Sequence, residues 1–371
     1  MIKTDCKFYE GSKPCKPHKL DGRECENCED YSRAAFRILI VKLDALGDVL
    51  RTTSLLPNLH EKYPNASVTW VTRQNAQSVL KSNPYIDRVL TVNGNYLEFI
   101  LNEEFDAGIC LDSDSLSASI LTLAKCSEKY GFVSGNNGKP LPVNKEAEYW
   151  WLMGVNDKLK RENRKTYQEI IHGICLTPYR KFPPVINKSI VNNDLMRNFR
   201  AANKLENSKK IIGINTGGGN RWEWKKWIPE YYIELIKNIK DTLPGTDIIL
   251  YGGPDEVEFN RIIMAVAGER AADAGCNNSL EDFITLVSIC DIFVTPDSLG
   301  FHIATGLEKN VIVLVGPTSP WELETYGRGE VICPDMDCIA CYLNKCDKNP
   351  NCMMNIRPDA VMDAIKKYLN A

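Results

Sequence analysis

Asp48 closes the stretch Leu-Asp-Ala-Leu-Gly-Asp, residues 43–48, which follows the apolar run 37–41 directly. A buried strand that ends in a glycine turn places such an aspartate at the start of the next helix, where an α/β protein keeps a catalytic carboxylate. The chemistry available there is that of a general base, and the competing role is a helix cap. Asp44, four residues earlier, reads as structural. The far half of the chain repeats the device, with a strand over 211–215 followed by Thr216-Gly217-Gly218-Gly219. Missing side chains let that backbone approach phosphate. A third apolar run, 292–295, leads into Asp297-Ser298-Leu299-Gly300-Phe301-His302. Ser298, Leu299 and Gly300 would supply N–H groups at a helix N-terminus, an anion site by its dipole. Two nucleotide-fold halves are implied, one carrying the acid and the other the phosphate site.

Of the 14 cysteines, Cys110, Cys126, Cys175, Cys276, Cys290 and Cys333 are scattered and read as small buried hydrophobes. The others are clustered. Cys6, Cys15, Cys25 and Cys28 crowd the first 28 residues, and Cys338, Cys341, Cys346 and Cys352 crowd a 15-residue stretch near the end. Each group holds a C-x-x-C pair, the short-chelate spacing for two thiolates on one tetrahedral ion. Structural metal sites are therefore expected, with zinc the default and iron the runner-up. Disulfides or free thiols are the alternative, and His18 is a candidate replacement for one thiol. Four protein ligands would leave no open position for a substrate, so neither cluster is placed in catalysis.

The elements that must position these residues follow from alternation. After a polar, proline-bearing arm over 1–35, strand-like runs at 37–43, 67–72, 88–92 and 106–111 alternate with helix-like segments at 49–63, 75–82 and 96–103. That pattern argues a parallel sheet. Residues 146–176 read as a long helical insertion. Its apolar stripe, Trp150, Trp151 and Leu152 followed by Tyr167, Ile170, Ile171 and Ile174, suits a core face better than an acceptor groove. A polar linker occupies 186–210, and the second half repeats the strand–helix alternation over 211–356. An amphipathic helix over 357–371 ends the chain, and 36–185 forms the N-terminal domain.

With 371 residues the length suits two domains with cores of their own. Forty-five Lys and Arg against 48 Asp and Glu leave a net charge of −3, which gives nucleic acid no general attraction. The first residues lack the apolar core of a signal peptide, and no stretch approaches the ~18 apolar residues needed to span a bilayer. A cytoplasmic protein is expected.

The motifs together resemble glycosyltransferase family 9, the bacterial heptosyltransferases of lipopolysaccharide core assembly. The resemblance covers residues 36–371 and rests on Leu-Ile-Val-Lys-Leu-Asp-Ala-Leu-Gly-Asp-Val, Lys225-Lys226-Trp227 with Pro229, Asp297-Ser298 with His302, and Gly316-Pro317-Thr318-Ser319-Pro320. It implies the GT-B architecture: α/β, two Rossmann-like domains facing a central cleft, the N-terminal one for acceptor and the C-terminal one for a nucleotide-sugar donor. It also implies a terminal helix that crosses back onto the first domain. Gly47-Asp48 matches the family's Gly-Asp and makes Asp48 the base. Lys225 matches the lysine of Lys-x-Trp-Pro and becomes the diphosphate ligand, although the inserted Ile228 leaves the register between Lys225 and Lys226 open. Thr216, Gly217 and Gly218 join the donor site. Asp297 would lie against the donor sugar, His302 against phosphate, and Asp255 would hold the adenosine ribose.

The implied reaction is inverting transfer of a sugar, heptose from ADP-heptose, to a hydroxyl of a cell-envelope glycan such as lipopolysaccharide core. The donor is an ADP-sugar, the acceptor a glycan or glycolipid, and contact with the cytoplasmic face of the inner membrane would be peripheral. No catalytic metal is expected, charge neutralisation at the leaving group falling to lysine and the helix dipole instead. A sugar-nucleotide 2-epimerase uses similar halves and would turn over donor without acceptor. A non-catalytic glycan-binding or assembly module is the third possibility.

Overall fold

The computed structural model describes residues 1–219, 223–343 and 345–369. The chain forms two compact units, Met1–Leu152 with Glu169–Arg180, and Met153–Gln168 with Lys181–Ala371.

The first unit opens on the cysteine-rich arm, which holds one short helix, α1 (Lys16–Asp21), and a 3-10 turn at Cys25–Asn27. Its ends are tied together: Lys7 N–H donates to Ser32 O at 2.8 Å and Ala34 N–H to Asp5 O at 3.0 Å. Through residue 35 only Pro17 is buried, as its polar composition demands.

Strand β1 (Phe36–Val41) then enters the sheet, followed by α2 (Leu46–Thr52) and α3 (Leu56–Lys62). A single helix was expected over 49–63. Pro57 lies in the first turn of α3 and has no N–H to continue a helix from before it, so a 3-10 turn at Thr53–Leu55 intervenes. The unit continues through β2 (Ala66–Thr72), α4 (Gln77–Leu80), β3 (Arg88–Thr91), α5 (Tyr96–Asn102), β4 (Glu104–Cys110), α6 (Ser115–Leu123), β5 (Lys125–Ser134) and β6 (Pro140–Pro142). The strand order is β3-β2-β1-β4-β5-β6, parallel except that β6 runs antiparallel to β5. Ile38, Leu39, Ile40 and Val41 are all fully buried, which is why β1 reads as an unbroken apolar run.

The expected insertion is three helices, α7 (Lys145–Val155), α8 (Asp157–Glu162) and α9 (Tyr167–Ile174). Asn156 starts α8 by accepting from Leu159 N–H at 3.2 Å. Tyr167, Ile170, Ile171 and Ile174 are buried as a core stripe, whereas Trp150 and Trp151 are half-buried and Leu152 is exposed.

In the second unit the stretch read as a linker carries a helix, α10 (Asn193–Ala202), capped by Asn192. Its polar sequence hid it: it has no buried residue, and only half-buried side chains such as Leu195 and Phe199 face inward. Then follow β7 (Lys210–Asn215), α11 (Pro229–Thr242), β8 (Thr246–Tyr251), α12 (Val257–Ala267), β9 (Ala272–Asp273), α13 (Leu280–Ser288), β10 (Ile292–Pro296), α14 (Leu299–Gly306), β11 (Asn310–Leu314), β12 (Gly329–Ile332), α15 (Cys352–Asn355) and α16 (Pro358–Leu369). Helix α10 packs against α13. The strand order is β12-β11-β10-β7-β8-β9, parallel throughout.

The resemblance implied that the last helix returns to the N-terminal domain. The buried face of α16, with Val361, Met362, Ala364 and Ile365, lies in the core of the second unit beside Trp227, Tyr232 and Ile312. Residues 370–371 of that expectation lie outside the described residues. Among the described residues no helix is long and apolar enough to cross a membrane.

Candidate functional site

Each sheet reverses its winding once, between β1 and β4 in the first unit and between β7 and β10 in the second. In open α/β sheets ligands settle outside the carboxyl ends of the strands at that reversal. Asp48 follows β1, Thr216–Gly219 follow β7, and Asp297 follows β10. The residues singled out by type therefore occupy the positions that topology favours.

Asp48 is the third residue of α2, so its carboxylate lies at the positive end of that short helix. One oxygen accepts from Ala45 N–H at 3.4 Å, and the other pairs with Arg51 at 2.8 Å. The capping role and the exposure a base requires coexist, for the side chain is 36% exposed. Asp44 pairs with Arg73, the residue after β2. Sequence reasoning passed over a second pair at this edge, Lys42 with Asp112. It is almost fully buried, and Asp112 also accepts from Leu43 N–H at 2.6 Å. Burial raises the Asp112 carboxyl, and Lys42 opposes the rise. A lysine inside the run Ile-Leu-Ile-Val-Lys-Leu was the signal available for it, because a buried ammonium needs a partner.

In the second unit Lys225 donates to the Asp297 carboxylate at 2.8 Å and to the Asp297 carbonyl at 3.2 Å. Thr318 donates to the same carboxylate oxygen at 2.8 Å. Burial would raise the Asp297 carboxyl, but Lys225, aided by His302 and the Thr318 hydroxyl, holds it at about 2. His302 is buried in α14, near enough to Asp297 to act on it. Among the described residues Lys225 places its ammonium on Asp297 alone, with two contacts to it.

The low Asp297 value makes a stability prediction. An aspartate near 2 when folded and near ~4 when unfolded stabilises the fold fully above ~4, and that contribution of about 2–3 kcal/mol disappears as pH falls through about 2. Urea unfolding of wild type and Asp297→Asn at pH 6, 4 and 3 should show the difference between them shrinking with acidity. A constant difference would mean that Lys225 does not hold the carboxylate charged.

The two lysines divide their roles. Lys226 pairs with Glu256 at 2.6 Å, while Lys225 takes Asp297. A Cβ on Gly218 would lie 3.2 Å from the Lys226 side chain and 3.4 Å from that of Lys225, so the glycine loop rests against both. Gly219 has φ +71°, a conformation few residues other than glycine adopt. Asn215 ties the two strand ends together, donating to Thr295 Oγ1 at 2.9 Å and Ser298 Oγ at 3.3 Å and accepting from Gly217 N–H at 3.3 Å. A Cβ on Gly300 would come within 2.9 Å of its amide nitrogen, so that approach requires glycine. Thr216 is turned inward, donating to Asn260 at 2.6 Å. Leu299 and Gly300 open α14, with Ser298 as its N-cap residue.

Asp255 is exposed, whereas Glu256 is buried, accepts from Gly253 N–H at 2.9 Å and lies beside the Cβ direction of Gly217. The carboxylate turned toward the glycine loop is thus Glu256. The 3-10 turn Pro254–Glu256 rotates adjacent side chains to different sides, which sequence alone does not disclose.

The metal expectation is corrected as well. Cys6, Cys15, Cys25 and Cys28 line one hollow of about 600 Å³ together with His18. Yet among the described residues no three His, Cys, Asp or Glu side chains close on a single point in either cluster. At the C-terminal cluster Cys338 accepts from Lys348 at 3.1 Å. Burial pushes the Cys352 thiol up to about 11, with Cys341, Cys346 and Cys338 adding to the rise. Neither zinc nor iron is supported by this arrangement.

The model of the family described as glycosyltransferase family 9 (heptosyltransferase) matches residues 97–350. Lipooligosaccharide heptosyltransferase 2 of Campylobacter jejuni is 28% identical over 173 residues, 44% of this chain and 52% of that protein. The chain thus spans about half the length of that relative. Among solved structures, a family 9 glycosyl transferase from Veillonella parvula superposes with a TM-score of 0.71 at 17% identity, covering 90% of this chain and 97% of the other. The ADP-heptose lps heptosyltransferase II of E. coli superposes with a TM-score of 0.64 at 19% identity, covering 90% and 98%. These likenesses show the fold, two parallel-sheet α/β domains of the GT-B type. The match of the family model over more than half of the sequence shows that the chain belongs to glycosyltransferase family 9.

Proposed function

We propose that the protein transfers heptose from ADP-heptose to a sugar hydroxyl of lipopolysaccharide core, with inversion at the anomeric carbon. The observation that carries this reading is the Lys225–Asp297–Thr318 cluster at the winding reversal of the second sheet, beside a glycine loop and a helix N-terminus. Breaking an anomeric bond to a diphosphate leaves negative charge on the phosphate, and a lysine, backbone amides and a helix dipole answer it. Asp48 is the base that accepts the acceptor hydroxyl proton, and Arg51 keeps its carboxylate oriented.

Asp297 faces the donor sugar and orients Lys225, while His302 completes the phosphate environment. Glu256 takes the ribose hydroxyls, in place of Asp255. The relatives' names support the donor: one solved structure of similar fold is described as an ADP-heptose heptosyltransferase. The acceptor is then a glycolipid presented at the cytoplasmic face of the inner membrane.

The test offers ADP-heptose and other nucleotide sugars, with and without a heptose-deficient core acceptor, and follows the released nucleotide and the anomeric configuration of the product. ADP release that depends on acceptor, with an inverted product, is expected. Donor turnover without acceptor would favour an epimerase, and a retained configuration would remove the single-displacement mechanism.

A further inference from the structure

The cysteine-rich segment near the C-terminus has no place in the chemistry above, yet its contacts converge on both partners of the donor pair. Thr318, which donates to Asp297, lies in the loop after β11. That loop is held from outside: Ala340 N–H donates to Gly316 O at 3.1 Å and Tyr342 N–H to Pro317 O at 2.9 Å. Tyr342 Oη then accepts from Ser319 N–H at 3.2 Å and donates to Glu322 at 3.3 Å. On the other side of the pair, two residues beyond Lys225, Trp227 donates its indole N–H to Ile356 O at 2.8 Å. Tyr231, in the first turn of α11, donates its hydroxyl to Met354 O at 3.1 Å.

Two further observations single out this segment. Ala340 and Tyr342 both have left-handed backbones, φ +58° and +52°, which non-glycine residues adopt at a cost and retain where the surroundings enforce it. The Tyr342 ring is also covered by Lys160, whose ammonium lies 3.5 Å from its centroid. The Ser319 hydroxyl is buried and has no partner among the described residues, so this stretch of the loop is gripped through its backbone.

We propose that residues 338–343 and 345–356 clamp the donor site and that Tyr342 is a positioning residue for it, fixing the loop that sets Thr318 on Asp297. The inference rests on the nucleotide-sugar reading of that site. Tyr342 acts by keeping Thr318, Asp297 and Lys225 in one arrangement before donor arrives.

The test is calorimetric ADP binding to the full chain for wild type, Tyr342→Phe, Thr318→Val and the double variant, with thermal unfolding in parallel. Phenylalanine keeps the ring under Lys160 and removes only the hydroxyl. Tyr342→Phe should weaken ADP roughly tenfold at a temperature where the variant is fully folded. The double variant should bind no worse than the weaker single, because both changes break the same chain of contacts. A merely structural role would lower the unfolding temperature and leave ADP affinity unchanged. Wild-type binding that Tyr342→Phe does not alter, or losses that add in the double variant, would overturn the clamp alone. Absence of ADP binding by wild type would overturn the donor-site reading on which it rests.

Discussion

Asp48→Asn should lower acceptor-dependent turnover by ~10²-fold or more while ADP affinity stays within about twofold of wild type. Asparagine keeps the size of the side chain and an oxygen able to accept from Ala45 N–H, so α2 retains its start. What it loses is proton acceptance, together with the charge that attracts Arg51. The Arg51 contribution can be separated. Arg51→Gln leaves the carboxylate in place without its guanidinium partner, and should reduce turnover far less than Asp48→Asn. Steady-state kinetics with saturating donor decide the matter, and near-wild-type turnover by Asp48→Asn would remove Asp48 from the mechanism.

Lys225→Ala should cost both donor affinity and stability, and the two losses have separable origins. Loss of the cation beside the diphosphate is expected to weaken ADP and ADP-sugar by roughly 10²-fold, in line with removing a charged partner from a preorganised site. The same change leaves the Asp297 carboxylate, 17% exposed, without its counter-charge, which is destabilising by about 3–5 kcal/mol. The double variant Lys225→Ala/Asp297→Ala should recover part of the stability and none of the affinity. Lys226→Ala serves as the comparison, because its partner is Glu256. It too should destabilise, through the unpaired Glu256, but should weaken nucleotide less. Titration of ADP into the four proteins, together with urea unfolding, checks the ranking. If Lys226→Ala proves the more damaging to ADP binding, the diphosphate ligand is Lys226.

The sequence by itself determined the alternation of elements and the turns that carry the chemistry. Strands such as 292–295 and 211–215 are short apolar runs bounded by glycine, aspartate and asparagine, signals that are local and strong. The positions of Asp48, Thr216–Gly219 and Asp297 at strand ends follow from the same local rules. Weaker local signals went unread: β9 has two residues, β12 is half-buried throughout, and α10 has no buried residue to show a periodic face.

Only the tertiary structure decided which charges meet. Lys225 and Asp297 are 72 positions apart, and Lys42 and Asp112 are 70 apart. Parallel crossovers bring such pairs to one sheet edge, and residue type fixes neither the partner nor the side from which it arrives. The exchange of Asp255 for Glu256 has the same cause on a smaller scale, since one residue of rotation in a 3-10 turn separates an exposed carboxylate from a buried one. The cysteines make the contrast plainest. C-x-x-C spacing establishes that two thiols are near in sequence, but ligation requires further donors to converge on one point. That convergence depends on how the backbone packs, and near the C-terminus the backbone packs onto the Gly316–Ser319 loop and α11 instead.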